Sequence, residues 1–179
     1  MRIIGIDPGY AITGYALIDY DGQTITVLDY GTLETTKATP FAERLLAISD
    51  GVDELIRTWT PTVMACEELF FTKNKTTALG TAQARGVALA SAARYGVEVF
   101  EYTPNAVKKA VTGSGRAAKE QVQLMVQTLL KLEEVPKPDD AADALALCIC
   151  QALTGRMRSY EALGGYQKSG PRNRGSNRW

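Results

Sequence analysis

The first nine residues constrain this chain more than any other stretch. Arg2-Ile3-Ile4-Gly5-Ile6 is a short apolar run with the look of a buried strand, and it stops on Asp7-Pro8-Gly9, a turn signal headed by an acid. A β-rich stretch from Ile12 to Tyr20 meets Asp21-Gly22, a strong hairpin signal, and Thr24 to Leu33 follows as a third strand. A three-stranded meander therefore opens the chain, with a carboxylate at the end of its first and most apolar strand. An ionised carboxylate there is costly unless something positive meets it.

The pattern then changes period. From Phe41 to Trp59, Leu45, Ile48, Val52, Leu55 and Ile56 recur at three and four residues, which predicts an amphipathic helix. Thr62 to Cys66 reads as a fourth strand ending in Glu67-Glu68, and residues 77 to 95 as a helix with a low-volume Ala and Gly face. That face suits packing on a second copy of the chain or on its own sheet. Val97 to Tyr102 is a fifth strand. Thr103-Pro104 starts a helix as cap and first helical residue, and Gly113-Ser114-Gly115 ends it. Lys119 to Leu132 places Val122, Met125, Val126, Leu129 and Leu130 on one face, and Asp140 to Leu153 is a last, strongly apolar helix. This order predicts an α/β fold with a mixed five-stranded sheet flanked by helices over residues 1–155. Beyond Gly155 the composition turns to Gly, Ser, Pro, Asn and Arg, so residues 156–179, with Lys168, Arg172, Arg174 and Arg178, read as a flexible basic tail.

Composition removes whole classes of chemistry. There is no histidine among the 179 residues, which excludes Ser/His and Cys/His nucleophilic schemes and any histidine-bearing metal site. At this length a fold buries roughly 70% of its unfolded surface, so staples are not needed. Cys66, Cys148 and Cys150 sit in apolar runs without zinc-ligand spacing, and are expected as core thiols in a reducing compartment. A charge at Asp7 precedes any long apolar stretch, so neither a secretory signal nor a membrane span is expected, and a cytoplasmic location is. The zero net charge hides blocks of opposite sign. Residues 1–72 hold 4 basic and 11 acidic side chains, 73–119 hold 8 and 2, 120–150 hold 2 and 6, and 151–179 hold 6 and 1. A basic middle between acidic flanks suits a surface that grips phosphates beside a site that holds cations.

Four acids are candidates for that site: Asp7 and Glu67 at strand ends, and Asp140 and Asp143 one turn apart at a helix start. Convergent carboxylates with no histidine call for a hard cation such as Mg²⁺ or Mn²⁺. Each acid alone has an ordinary explanation. Asp7 can initiate a turn, Asp140 can cap a helix, and Asp143 can complement the helix dipole.

Taken together, Gly5-Ile6-Asp7-Pro8-Gly9, Glu67 leading into Phe70-Phe71-Thr72-Lys73-Asn74, Gln83-Ala84-Arg85-Gly86-Val87, Val107-Lys108, Gly113 to Lys119, Gln121-Val122-Gln123 and Asp140-Ala141-Ala142-Asp143-Ala144-Leu145-Ala146 resemble the RuvC-type Holliday junction resolvases, in order, over nearly all of residues 1–155. The resemblance implies a ribonuclease H-like fold, a homodimer, and symmetric hydrolysis of four-way DNA junctions in recombination and repair, leaving 5′-phosphate and 3′-hydroxyl ends. It puts Asp7, Glu67, Asp140 and Asp143 at the catalytic and metal-binding positions, with two Mg²⁺ ions per site, Mn²⁺ substituting, and a branch-migration motor as partner. Asp139 is an extra acid beside Asp140.

The DNA-contact candidates are Phe70, Lys73, Lys75, Arg85, Lys108, Arg116 and Lys119, with the resemblance pointing most directly to Phe70, Lys108 and Lys119. Lys119 also suits a solubilising role at a helix start, and one of Phe70 and Phe71 suits core anchoring. The Gly113-Ser114-Gly115 turn offers backbone amides to a phosphate. Two other classes remain in view. A non-catalytic junction-binding protein on the same fold would need displaced acids, and an actin or sugar-kinase type of ATPase, which shares Gly5-x-Asp7-x-Gly9, would need a second domain.

Overall fold

Asp21 closes the hairpin by accepting hydrogen bonds from the N–H groups of Gln23 and Thr24, both at 2.8 Å, and this turn folds β3 (Ile25–Glu34) back on β2 (Ile12–Tyr20). β2 in turn pairs antiparallel with β1 (Arg2–Asp7). The computed structural model describes residues 1–68 and 75–165, with side chains for 1–68 and 78–155. Within it, β4 (Val63–Glu67) and β5 (Glu98–Tyr102) add in parallel on the other side of β1, each entered from a helix, α1 (Phe41–Trp59) and α2 (Lys75–Arg94). The order β3-β2-β1-β4-β5 is the expected mixed five-stranded sheet. Three helices follow: α3 (Pro104–Thr112), α4 (Lys119–Leu130) and α5 (Asp139–Gly165). Thr103 caps α3 as expected, its hydroxyl accepting from the Ala106 N–H at 3.1 Å. Among the described residues, no helix is long and apolar enough to cross a membrane.

Strand alternation sorts the core into two layers. Ile4, Ile6, Leu17 and Met64 face α1 and α2, against Ile48, Val52 and Ile56 and the alanines Ala84, Ala88 and Ala92. The small face of α2 therefore packs inside its own chain, leaving Gln83, Gly86, Ala90 and Ala93 exposed on the other side. Ile3, Ala16, Ile18 and Ala65 face α3, α4 and above all α5. The three cysteines are free and buried, as their apolar surroundings predict.

The position of α5 is set by a row of small residues. Gly5 of β1 pairs with Ala16 on one side and Ala65 on the other, so the middle of the sheet carries almost no side-chain volume. The helix lies directly in that trough. A Cβ on Gly5 would stand 2.3 Å from the Ala144 carbonyl oxygen and 2.7 Å from Cys148 Sγ, and the Cys148 thiol donates to the Ala16 carbonyl at 3.5 Å. α5 also runs ten residues past the boundary expected at Gly155. The stretch Arg156 to Leu163 contains good helix formers and no breaker before Gly164-Gly165, which outweighs its polarity. Residues 166–179, with Lys168, Arg172, Arg174 and Arg178, lie outside the described residues.

Gly5→Ala is expected to destabilise the fold by about 1–3 kcal/mol, as overpacked cores are. Adding Cys148→Ala should recover little, because the tighter obstacle is main chain. Urea denaturation of the single and double variants measures this; a Gly5→Ala protein as stable as the parent would show that the trough has slack.

Candidate active site

The trough brings the acids together. Two residues beyond Gly5 and so on the same face, Asp7 pairs with Gly14 of β2, and Glu67 ends β4 alongside it, one position past the Ile6–Cys66 pair. A Cβ on Gly14 would lie 2.0 Å from the Asp140 carbonyl oxygen, so only glycine lets the first turn of α5 rest on the strand here. Asp140 and Asp143 are thus delivered to the ends of β1 and β4. An isolated glycine inside a strand pattern signals close backbone approach, and Gly5 and Gly14 carry that signal in the sequence unread.

Electrostatics records the convergence. Burial pushes the Asp7 carboxyl up to about 7, helped by the charges of Asp143, Glu67 and Asp140 and opposed by Lys119. Burial and Asp143 also raise Glu67, with Lys108 pulling it back down. Asp143 is raised by burial against the pull of Lys119. Like charges in a half-buried cluster favour the protonated form unless a cation enters. All donors are oxygens, which fits a divalent cation. Among the described residues, no three of the acids already surround a common point, so the carboxylates face one another at electrostatic rather than coordinating range.

Two lysines border the cluster. A cavity of about 220 Å³ is lined by Glu67, Asp143, Lys108, Lys119, Val107 and Val122, among others. Lys119, the first residue of α4, sets its Nζ 3.1 Å from Asp139 and 3.3 Å from Asp143. These pairs are largely exposed and worth at most about 1 kcal/mol, so the ammonium is held loosely. The extra acid Asp139 has a side chain 62% exposed and turned to α4, accepting also from Gln123 Nε2 at 2.9 Å.

The loop leaving Asp7 is tied from behind by a residue the sequence did not flag. Arg44 of α1, only 6% exposed, donates to the Tyr10 carbonyl and to Thr35 Oγ1, each at 2.8 Å, with its guanidinium 4.8 Å from the centre of the Tyr10 ring. Thr35 donates to the same carbonyl at 2.6 Å. Nothing in a helical apolar pattern marks an arginine as buried, because its partners come from two distant loops.

The DNA-contact candidates divide. Lys108 and Lys119 stand at the acids. Arg116 is exposed in the turn before α4, where its N–H and that of Ser114 are taken by Ser114 Oγ and Thr112 Oγ1, and the Gly113 N–H by the Lys109 carbonyl. Those three amides are therefore not available to a phosphate. Arg85 departs from expectation: it is mostly buried, donating from Nε to the Glu67 carbonyl at 3.1 Å and pairing with Glu101. Phe70, Phe71, Lys73 and the side chain of Lys75 lie outside the described residues.

Comparison with known proteins gives consistent results. Residues 3–151 match the family model described as crossover junction endodeoxyribonuclease RuvC. A protein of that name from Alkaliphilus oremlandii is 55% identical over 159 residues, covering 88% of this chain and 96% of its own. Another, from Ruminiclostridium cellulolyticum, is 49% identical over 157 residues, covering 88% and 95%. Among solved structures, T. thermophilus RuvC in complex with a Holliday junction substrate superposes with a TM-score of 0.85 at 36% identity, covering 89% of this chain and 97% of that one.

The raised Asp7 carboxyl gives a pH signature without any metal. The folded state holds a proton that the unfolded chain releases near pH 4, so in chelator, stability is expected to fall as pH rises from about 4 to about 7 and then level off. The loss is at most about 4 kcal/mol, and Asp7→Asn should flatten it. Urea melts in EDTA between pH 5 and 8 check this; parallel curves for parent and variant would contradict the burial of Asp7.

Proposed function

Because the chain belongs to the crossover junction endodeoxyribonuclease family RuvC, and is accordingly a metal-dependent nuclease for four-way DNA junctions, we propose that Asp7, Glu67, Asp140 and Asp143 are its catalytic acids and hold two Mg²⁺ ions, with Mn²⁺ able to substitute. The observation that carries this reading is the seating of α5 on Gly5 and Gly14, which brings Asp140 and Asp143 to the ends of β1 and β4 beside Asp7 and Glu67 and gathers four carboxylates against the two lysines Lys108 and Lys119. When bound, the ions supply an activated water and charge stabilisation for the departing 3′ oxygen.

The rest of the chemistry belongs to the protein. Asp7 and Glu67 are fixed to the ends of adjacent parallel strands, and Asp140 and Asp143 to a helix end seated on main chain, so the acids hold their spacing as a phosphodiester enters. Lys108 and Lys119 flank the same cavity and meet the phosphate negative charge. Arg116, Lys73 and Lys75 add further phosphate contacts, and Phe70 stacks on a base near the crossover. Two equivalent cuts call for a two-fold homodimer. The outward face of α2, with Leu79 63% exposed beside Gln83, Gly86, Ala90 and Ala93, offers a flat, low-volume surface for a second copy. A branch-migration motor as partner, a cytoplasmic setting and a nuclease domain followed by a basic tail complete the reading.

Asp7→Asn should abolish cleavage of a synthetic four-way junction in Mg²⁺ while leaving junction binding intact; a variant that cuts at the parental rate removes Asp7 from the mechanism. A parent protein that binds but never cuts would instead support a non-catalytic junction binder. Phe70→Ala should slow cleavage and weaken the 2-aminopurine signal at the crossover without lowering the melting temperature, and an unchanged signal would assign Phe70 to the core. Sedimentation should give twice the 19.4 kDa chain mass.

A further inference from the structure

Arg85 lies where the sequence suggested a phosphate contact, yet its side chain is only 15% exposed and its hydrogen-bonding groups turn inward. It rises from α2, and Nε donates to the carbonyl of Glu67, the last residue of β4, while the other end of the guanidinium pairs with Glu101 of β5. The fork thereby bridges the ends of two adjacent parallel strands, at the point where the main chain leaves the sheet. The next residue is fixed as well, the Glu68 N–H donating to the Tyr102 carbonyl at 2.9 Å. Those bonds of Arg85 go to the Glu67 carbonyl and to Glu101 rather than to the Glu67 carboxylate.

We infer that Arg85, anchored by Glu101, is a positioning residue that holds the Glu67 main chain so that the Glu67 carboxylate is presented to a divalent cation, and that it is not a contact to DNA. The inference rests on the proposed role of Glu67 as a metal ligand. A planar fork with fixed donor directions is needed for a simultaneous bond to a carbonyl and a carboxylate, and an ammonium on a flexible stem does not reproduce it. Groups that orient a ligand from behind typically change metal affinity by about 10–100-fold when removed.

The test compares Arg85→Met, Arg85→Lys, Glu101→Gln and Glu67→Gln in the full-length protein. Calorimetric titration with Mn²⁺ alone should show affinity reduced by about tenfold in Arg85→Met, at the lower end of that range. Arg85→Lys should not restore it. The Mg²⁺ concentration for half-maximal junction cleavage should rise in parallel, while junction affinity in EDTA stays within about twofold of the parent, far less than loss of several phosphate contacts would give. Reduced junction affinity with unchanged Mn²⁺ affinity, rescued by Arg85→Lys, overturns the inference and restores Arg85 to the DNA surface. Glu67→Gln separates the two readings: unchanged Mn²⁺ affinity there removes Glu67 as a ligand, whereas weakened affinity there with a folded, unaffected Arg85→Met refutes only the role of Arg85. Should Arg85→Met fail to fold, Glu101→Gln keeps the Glu67 bond but frees the anchor, and must also weaken Mn²⁺ binding; parental affinity in that variant rejects the inference.

Discussion

The contact between α5 and the middle of the sheet decides where everything else stands. Helices usually rest on sheets through interdigitated side chains, whereas here Ala16, Gly5 and Ala65 form a row with almost no volume and the helix main chain approaches to van der Waals range. Residues 144 and 148 of the helix meet Gly5, and one turn earlier residue 140 meets Gly14. The four-residue repeat of the helix thus runs in step with the two-residue repeat of the strand. Asp140 and Asp143 arrive beside Asp7 and Glu67 because the helix has no other place to sit.

Such a seat concentrates negative charge, and the fold answers with lysines of modest reach rather than with a buried ion pair. Lys108 and Lys119 come from α3 and α4, outside the helix that bears the acids, and leave the carboxylates raised rather than neutralised. Arg44 and Arg85 work differently. Both are largely buried and donate to main-chain carbonyls, one in the loop after Asp7 and the other at Glu67 itself. Cations that approach the acids are lysines, and cations that hold the backbone behind them are arginines, in keeping with the point charge of one and the rigid fork of the other.

Much of this was legible in the sequence, and the failures share a cause. The hairpin at Asp21, α1 from Phe41 to Trp59 and the Thr103 cap were readable because each is encoded locally, by turn chemistry, by period or by a capping side chain. The four acids were readable as a set only through the resemblance, since each has a mundane local role. The burial of Arg85 was not legible because its surroundings in sequence are those of a surface helix, while its partners lie on β4 and β5. Arg44 was passed over for the same reason. The amides around Gly113-Ser114-Gly115 looked open because glycine turns often are, yet Thr112 and Ser114 hydroxyls already occupy two of them. The continuation of α5 was hidden by composition, which averages a helix-forming stretch with the glycine and arginine beyond it. Long-range pairing leaves no periodic trace, which accounts for Arg85 and Arg44, averaging accounts for α5, and at Gly113-Ser114-Gly115 the competing hydroxyls were local and went uncounted.

The low side-chain volume between α5 and the row of Ala16, Gly5 and Ala65 also distributes stiffness unequally across the molecule. The acids stand on strand ends and on a helix turn seated against main chain, so their spacing inherits the rigidity of the fold, whereas Lys108 and Lys119 reach the same cavity on four-carbon stems, Lys119 through exposed ion pairs. A branched nucleic acid presents its sugar-phosphate path with considerable variation from arm to arm. On the proposed assignment, a stiff set of acids with compliant lysines tolerates that variation, because the adjustments fall on the lysines and the spacing of the acids is left undisturbed.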